Sequence, residues 1–249
     1  MANYQGIIVD RTLDRLISKR LIDQTNTERE LRTPSGKLSA SMLAWPLQWQ
    51  ILKIVGIGTK PFDEYTLRKF ERGNHVEKWL IDNMEGVVAT QKFLTYQGAI
   101  GYADAIVNTK GYEHNFGIMP HEVKSVSNAK FKRILSQGKP DTGHILQACF
   151  YALAENSKYF AIDYVSTDDY RIETYILNTK GYEKAVTDAI SAFNDALIAY
   201  TEHGTIPEFV AKEKWQEKID YCNYPTFKDL TAEEAKTLAE KMLKKKEVS

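Results

Sequence analysis

The chain has 249 residues, 43% of them hydrophobic, and its 33 basic and 33 acidic residues give no net formal charge. A uniformly basic surface of the kind that coats nucleic acid is therefore excluded, although a local basic patch is not. The two cysteines, Cys149 and Cys222, are too few for a disulfide framework or for a four-thiolate metal or iron–sulfur site.

The sequence indicates an intracellular protein without a membrane segment. The first 16 residues, "MANYQGIIVDRTLDRL", have no uninterrupted apolar core followed by a small-residue cleavage site. No stretch approaches the roughly 20 apolar residues that a bilayer span requires. We therefore expect a cytoplasmic location, in a bacterium or in the host cell of a phage, and no membrane partner.

The first third of the chain reads as helices with polar connectors. Apolar residues recur at helical spacing in "RTLDRLISKRLI" (11–22). The apolar stretch 39–56 contains Pro46, which predicts a helix that begins or kinks there. A further helix is predicted over 63–85.

From residue 86 the hydrophobic period changes to that of strands. "VVATQKFLTYQ" and "IGYADAIVN" are rich in β-branched and aromatic residues, and Gly98 between them predicts a hairpin turn. "GIMPHEVKSVS" is predicted to be a third strand. Helices over 128–137 and 142–156 come next, and two more strands, "KYFAIDYVST" and "YRIETYILN", meet at a turn.

The last elements are helices over 179–204 and 231–246. The element order predicts an α/β fold, with a mixed sheet flanked by helices and a helical N-terminal region. Without repeats or an obvious linker, we expect a single domain over 1–249. Its helical part ends at about 72, a core spans about 73–204, and an extension covers 205–249.

Three polar residues on two predicted neighbouring strands suggest chemistry. Asp104 stands among apolar residues, where burying a carboxylate is costly unless it is paired or binds a cation. Glu122 and Lys124 share one face of the next strand, since side chains alternate along a strand. A surface ion pair would explain this pattern as well. Alternatively, the two carboxylates hold Mg²⁺ or Mn²⁺, and the lysine orients a water or stabilises developing charge.

Two further pairs lie on predicted helices. Glu77 shares a helical face with Gly73, which makes it a further metal-ligand candidate, and His75 competes with it because imidazole also binds divalent metals. Gln147 and Tyr151 are four residues apart on another helix, so their polar tips point the same way. Each pair is equally compatible with an ordinary helix surface or a satisfied polar contact.

Taken in order, these pairs resemble the motifs of the PD-(D/E)XK nuclease superfamily, and within it the RecB-like, phage-type exonuclease branch. That branch carries Gly-x-x-x-(His or Glu) on a helix, Gly-x-x-Asp and (Asp or Glu)-x-Lys on strands, and Gln-x-x-x-Tyr on a helix. The matching residues are Gly73 with Glu77, Gly101 with Asp104, Glu122 with Lys124, and Gln147 with Tyr151. The resemblance covers about residues 35–155 and implies a restriction-endonuclease-like fold.

The resemblance implies a Mg²⁺- or Mn²⁺-dependent deoxyribonuclease, most simply an exonuclease of recombination, repair or phage DNA processing. Asp104 and Glu122, with the Val123 carbonyl and Glu77, would bind one or two metal ions. Lys124 would position the attacking water, while Gln147 and Tyr151 would hold Lys124 and the substrate strand. Phosphate contacts are expected from a basic cluster beside the site, formed by Lys130, Lys132, Arg133 and Lys139.

The sequence departs from the family pattern in two ways. It has Glu77 where RecB has a histidine, with His75 two residues earlier, so which of the two approaches the metal is open. Of the cysteines that bind an iron–sulfur cluster in some members, the loop "DYCNYPTF" (220–227) keeps Cys222 alone, so no cluster is expected.

Two alternatives stay open at this point. One is a structure-selective endonuclease on the same fold, and the other is a DNA-binding module without catalysis. The sequence also leaves open the polarity of digestion, the preference for single or double strands, homo-oligomerisation, and a partner protein of recombination or single-strand annealing.

Overall fold

The protein is described by a computed structural model, which covers residues 12–31, 36–57, 62–218 and 224–247. Its helices are α1 (Thr12–Leu31), α2 (Leu47–Ile54), α3 (Glu64–Asn83), α4 (Asn128–Gln137), α5 (Thr142–Ala154), α6 (Glu183–His203) and α7 (Ala232–Glu247). Its strands are β1 (Val87–Tyr96), β2 (Ala99–Asn108), β3 (Ile118–Val126), β4 (Tyr159–Ser166) and β5 (Ile172–Asn178).

The five strands form one mixed sheet in the order β1-β2-β3-β4-β5. β3 and β4 are parallel, and the other neighbouring pairs are antiparallel. A parallel pair needs a long crossover connection, and α4 and α5 provide it between β3 and β4. The predicted α/β fold, a mixed sheet flanked by helices with helices before it, is thereby confirmed.

The helices pack on both faces of the sheet. On one face, α5 and α6 bury a large apolar cluster that includes Phe150, Phe160 and Ile190. On the other face, α3 packs Val76 and Leu80 against residues of β3 and β4. Each fully buried side chain of this size contributes about 1.5–3 kcal/mol, so both faces hold β3 and β4 firmly in the centre of the sheet.

Most predicted element bounds agree with the structure, and α1 is the main exception. The helix continues to Leu31, beyond the predicted end at residue 22, and its apolar residues Leu13 and Leu16 are exposed rather than buried. An ion pair of 2.6 Å between Asp14 Oδ1 and Arg68 Nη2 joins α1 to α3. No helix in the described part of the chain is long and apolar enough to cross a membrane. The proposed domain bounds stay a prediction.

The sheet opens between β2 and β3, and this irregularity creates the site described below. The two strands pair from Asn108↔Ile118 to Ala105↔His121 and then separate. β3 continues for several residues as the partner of β4, so its β2-facing edge is released from Glu122 onward. The fork lies at the level of Asp104 on β2.

Candidate active site

The fork between β2 and β3 brings Asp104 to the edge of β3. The backbone N–H of Val123, which has lost its strand partner on this side, donates to Asp104 Oδ2 at 2.7 Å. In a strand the N–H and C=O of one residue point to the same side, so the Val123 carbonyl also faces the fork. The structure therefore places the predicted carboxylate and the predicted main-chain oxygen on one opening.

Glu122 is buried beside this opening with only half of its carboxylate satisfied. Its side chain is 2% exposed, and Oε1 is bonded to the ammonium of Lys124. The other oxygen, Oε2, has no hydrogen-bond partner among the described residues. Burial raises the pKa of Glu122 above its ordinary value, and Lys124 offsets only part of that effect. Such an oxygen is suited to a ligand, because a buried polar atom without a partner is costly.

Asp104 and Glu77 add further negative charge to the opening. Burial raises the pKa of Asp104 well above its ordinary value, and repulsion from Glu122 and Glu77 raises it further. Burial also raises the pKa of Glu77, against hydrogen bonding by Gln91 and the charge of Lys124. Three carboxylates thus surround one ammonium, which is an arrangement that attracts a cation.

Lys124 joins the carboxylates to α5. Besides Glu122, its Nζ contacts Gln147 Oε1 at 3.3 Å, and Gln147 Nε2 in turn donates to the Tyr151 hydroxyl at 3.0 Å. Burial lowers the pKa of Lys124, but the charge and hydrogen bond of Glu122, together with the charges of Asp104 and Glu77, outweigh burial, and the net pKa is raised. The lysine is therefore a charged donor whose position is fixed from two sides.

Gly101 allows α5 to approach β2. A Cβ at this position would lie 2.7 Å from Cε1 of Tyr151 and 2.9 Å from the Cβ of Ala40, both closer than real contacts. Gly73, by contrast, would place a Cβ 3.5 Å from Ser125 Oγ, an ordinary contact distance. Gly101 is thus required by the packing around Tyr151, whereas the space at Gly73 does not demand glycine.

His75 is not brought into the cluster. It is exposed on α3, with Nε2 3.7 Å from Glu71 Oε1 in an i, i+4 pair. Side chains two positions apart in sequence are separated by about 200° around the helix axis, so His75 and Glu77 cannot share a face. Between the two sequence candidates, the structure places Glu77 beside Asp104 and corrects the assignment of His75.

The residues at the fork fit a hard divalent cation. Among the described residues, no group of three or more His, Cys, Asp or Glu side chains is arranged to hold a metal by itself. Mg²⁺, however, keeps several waters and commonly uses one or two carboxylates together with substrate phosphates. Asp104, the free Oε2 of Glu122 and the Val123 carbonyl are all oxygen donors of that kind.

Sequence reasoning missed Gln91 on β1. Its Nε2 donates to Glu77 Oε1 at 2.5 Å and contacts Asp104 Oδ1 at 3.5 Å, so it bridges the two carboxylates. No sequence signal could have singled it out, because it stands in an ordinary strand pattern, "VATQKF". Its position depends on a distortion of β1 that appears only in the backbone.

The predicted basic cluster is partly neutralised. Lys130 Nζ lies 2.9 Å from Asp141 Oδ2, and Arg133 Nη2 lies 3.2 Å from Asp141 Oδ1. Lys132 and Lys139 are exposed. Cys222 lies outside the described residues, and Cys149 is a buried free thiol.

The fold is similar to that of solved structures. One is an alkaline exonuclease, LHK-Exo, from Laribacter hongkongensis, with 16% identity and a TM-score of 0.50 over 74% of this chain and 95% of that chain. LHK-Exo in complex with dAMP matches with 16% identity and a TM-score of 0.48, covering 68% and 91% of the two chains. The structure of SSO0001 matches with 16% identity and a TM-score of 0.42, covering 76% and 88%.

No protein-family model matches the sequence, and no curated protein matches it significantly. At this level of identity, the similarity to the alkaline exonuclease shows that the two chains share a fold.

Proposed function

We propose that the protein is a Mg²⁺- or Mn²⁺-dependent deoxyribonuclease of the PD-(D/E)XK type, acting as an exonuclease. The observation that carries this proposal is the unpartnered Glu122 Oε2, buried next to Asp104 and Lys124 where β2 and β3 separate. The similarity in fold to an alkaline exonuclease supports the proposal.

Asp104 and Glu122, with the Val123 carbonyl and Glu77, would hold the cation. When bound, it supplies Lewis-acid polarisation of a phosphate and a lowered pKa for bound water. The carboxylates also keep the opening negative, so the phosphate of a substrate is repelled until a cation compensates this charge.

Lys124 has the role of a fixed ammonium at the reacting phosphate. Its pKa is raised overall, so the Nζ keeps its proton at neutral pH and can donate to an attacking water or to developing negative charge. Gln147 accepts from it and is itself held by Tyr151. The two α5 residues therefore limit how far the lysine can move during the reaction.

DNA is the proposed substrate, and its backbone would contact the exposed Lys132 and Lys139. Lys130 and Arg133 contribute less, because Asp141 already neutralises part of their charge. Phosphate contacts of this type give affinity that falls with salt and carries no sequence preference.

The test is digestion of end-labelled linear and covalently closed circular DNA, single- and double-stranded, with Mg²⁺, Mn²⁺ or EDTA. We expect metal-dependent loss of linear DNA and survival of the circles. Asp104→Asn should lower the rate by a factor of about 10²–10³, since it removes a ligand on which transition-state charge stabilisation depends. The matched control Asp195→Asn changes an exposed acid on α6 and should cleave like the wild type.

Cleavage of the circles would identify an endonuclease on the same fold. DNA binding without cleavage by the wild type, with either metal, would replace the catalytic proposal by a binding module. Equal activity of Asp104→Asn and the wild type would show that the fork is not the active site.

A further inference from the structure

Gln91 adopts a backbone conformation that glutamine rarely takes. Its φ is 45°, in the left-handed region, although it lies within the strand β1. A side chain with a Cβ is disfavoured there, and such strain persists only where the surrounding structure imposes it. The register of β1 on β2 is also irregular nearby, between Val87 and Ala89.

The distorted backbone at Gln91 allows its side chain to contact two carboxylates of the candidate site. Gln91 Nε2 donates to Glu77 Oε1 at 2.5 Å and lies 3.5 Å from Asp104 Oδ1. Glu77 comes from α3 and Asp104 from β2, so a single amide links three elements at the opening. The amide is neutral, so it can lie between two carboxylates without neutralising either of them.

We propose that Gln91 is a positioning residue that holds Glu77 toward Asp104 and thereby sets the affinity of the fork for a divalent cation. The inference rests on the proposed function, because it concerns the same site. On this proposal, the strained backbone of Gln91 is needed to place its amide between the two carboxylates. A residue with less strain at this position should fold as well and bind metal less tightly.

Two substitutions separate the amide from the backbone. Gln91→Gly removes the side chain and the steric penalty of a positive φ. Gln91→Asn keeps an amide and tolerates the left-handed region, but it is one methylene shorter and falls short of Glu77. Both variants should keep or raise the melting temperature in EDTA, by about 2–4 °C where the strain is relieved.

The chain offers a matched control in Gln97. It is also an exposed glutamine with a positive φ, of 47°, but its side chain contacts the Tyr96 hydroxyl rather than a carboxylate. Gln97→Gly relieves the same kind of strain at the hairpin turn and leaves the fork unchanged.

The experiment is isothermal titration of Mn²⁺ into the wild-type protein and these three variants without DNA, together with thermal denaturation in EDTA. We expect the dissociation constant for Mn²⁺ to rise about tenfold in Gln91→Gly and Gln91→Asn, as for other groups that orient metal ligands. It should stay within twofold of the wild type in Gln97→Gly.

Three results would overturn the inference. Affinities of the Gln91 variants within twofold of the wild type would show that the amide does not position the ligands. A parallel fall in affinity and melting temperature, absent in Gln97→Gly, would show that Gln91 is needed for folding instead. Absence of Mn²⁺ binding by the wild type without DNA would refute the inference alone, because the proposed function is tested separately by metal-dependent digestion of DNA.

Discussion

Removing the ammonium of Lys124 while keeping its length tests how the site is held in the absence of metal. In Lys124→Met, the Glu122 carboxylate loses its partner at Oε1 and already has none at Oε2 among the described residues. Breaking a buried pair in this way costs more than the pair contributes, because a charge remains buried and uncompensated.

The size of the effect has an upper bound that follows from protonation. Glu122 can avoid the unpaired charge by taking up a proton, and from an ordinary pKa of 4.5 this costs about 3.4 kcal/mol at pH 7. Because wild-type Glu122 is already incompletely stabilised, we expect Lys124→Met to lose about 2–3 kcal/mol of unfolding free energy at pH 7. This corresponds to a fall in melting temperature of about 4–12 °C.

The loss of stability in Lys124→Met also depends on pH, because the pKa of Glu122 is raised by burial. A carboxyl group whose pKa is raised in the folded state destabilises the protein above its unfolded pKa, and the destabilisation shrinks as the pH falls. At pH 5.5 the bound on the cost is only about 1.4 kcal/mol. The double variant Glu122→Gln/Lys124→Met removes the charge altogether and should recover more than half of the loss.

The measurement is urea denaturation of the wild type, the single variant and the double variant in EDTA, at pH 7 and pH 5.5. Lys158→Met, at an exposed lysine, is the control. A loss that is equal at both pH values, or a double variant no more stable than Lys124→Met, would refute the account of Glu122 as an uncompensated buried charge.

Three further substitutions test the surroundings of the site. Burial lowers the pKa of His144 from 6.5 to about 3, so its neutral form contributes stability above pH 6.5 that is lost as the pH falls toward 3. His144→Gln keeps a partner for the Tyr164 hydroxyl, which lies 2.7 Å from His144 Nδ1. It should reduce the loss of unfolding free energy between pH 7 and pH 4.5 by about 2–3 kcal/mol, as measured by denaturant titrations. An unchanged dependence of unfolding free energy on pH would contradict this. Gly101→Ala should lose about 1–3 kcal/mol of unfolding free energy by overpacking against Tyr151, and it should lower the cleavage rate. Gly73→Ala has room for its Cβ and should be neutral or stabilising. Similar melting temperatures for the two variants would contradict the packing argument.

Hydrophobic period predicted most of the fold, because the central strands and α5 are buried on the faces that the pattern indicates. Pro46 caps the N-terminus of α2, and Gly98 stands in the hairpin turn, as local backbone preferences require. The packing of α1 could not be predicted in the same way. Its apolar residues satisfy a helical period, but the contact to α3 uses charged and hydroxyl side chains.

At the site, strand alternation could place Glu122 and Lys124 on one face, and the apolar neighbours of Asp104 could mark it as unusual; that the three form an active site stays a prediction. Strand alternation could not show that β2 and β3 separate at this point, since strand pairing is a long-range property. Consequently the bond from Val123 N–H to Asp104 was not foreseeable. The contact of Gln91 with Glu77 was not foreseeable either, because it depends on the distorted backbone of β1. The neutralisation of Lys130 and Arg133 by Asp141 could not be predicted either, because the two basic residues lie on α4 and the acid precedes α5.

The separation of β2 and β3 also explains why a costly cluster of charges is stable in this fold. Where two strands pair, each N–H and C=O is satisfied by its neighbour, and a carboxylate has no donor to bind. Once β2 leaves β3, the Val123 N–H becomes free to hold Asp104, and the apolar packing on both faces keeps β3 in place despite the missing partner. The backbone thus offsets part of the repulsion among the carboxylates, and a cation that binds only the folded state would offset more of it, by RT ln(1 + [M]/Kd), or about 2.7 kcal/mol at 100 times its Kd.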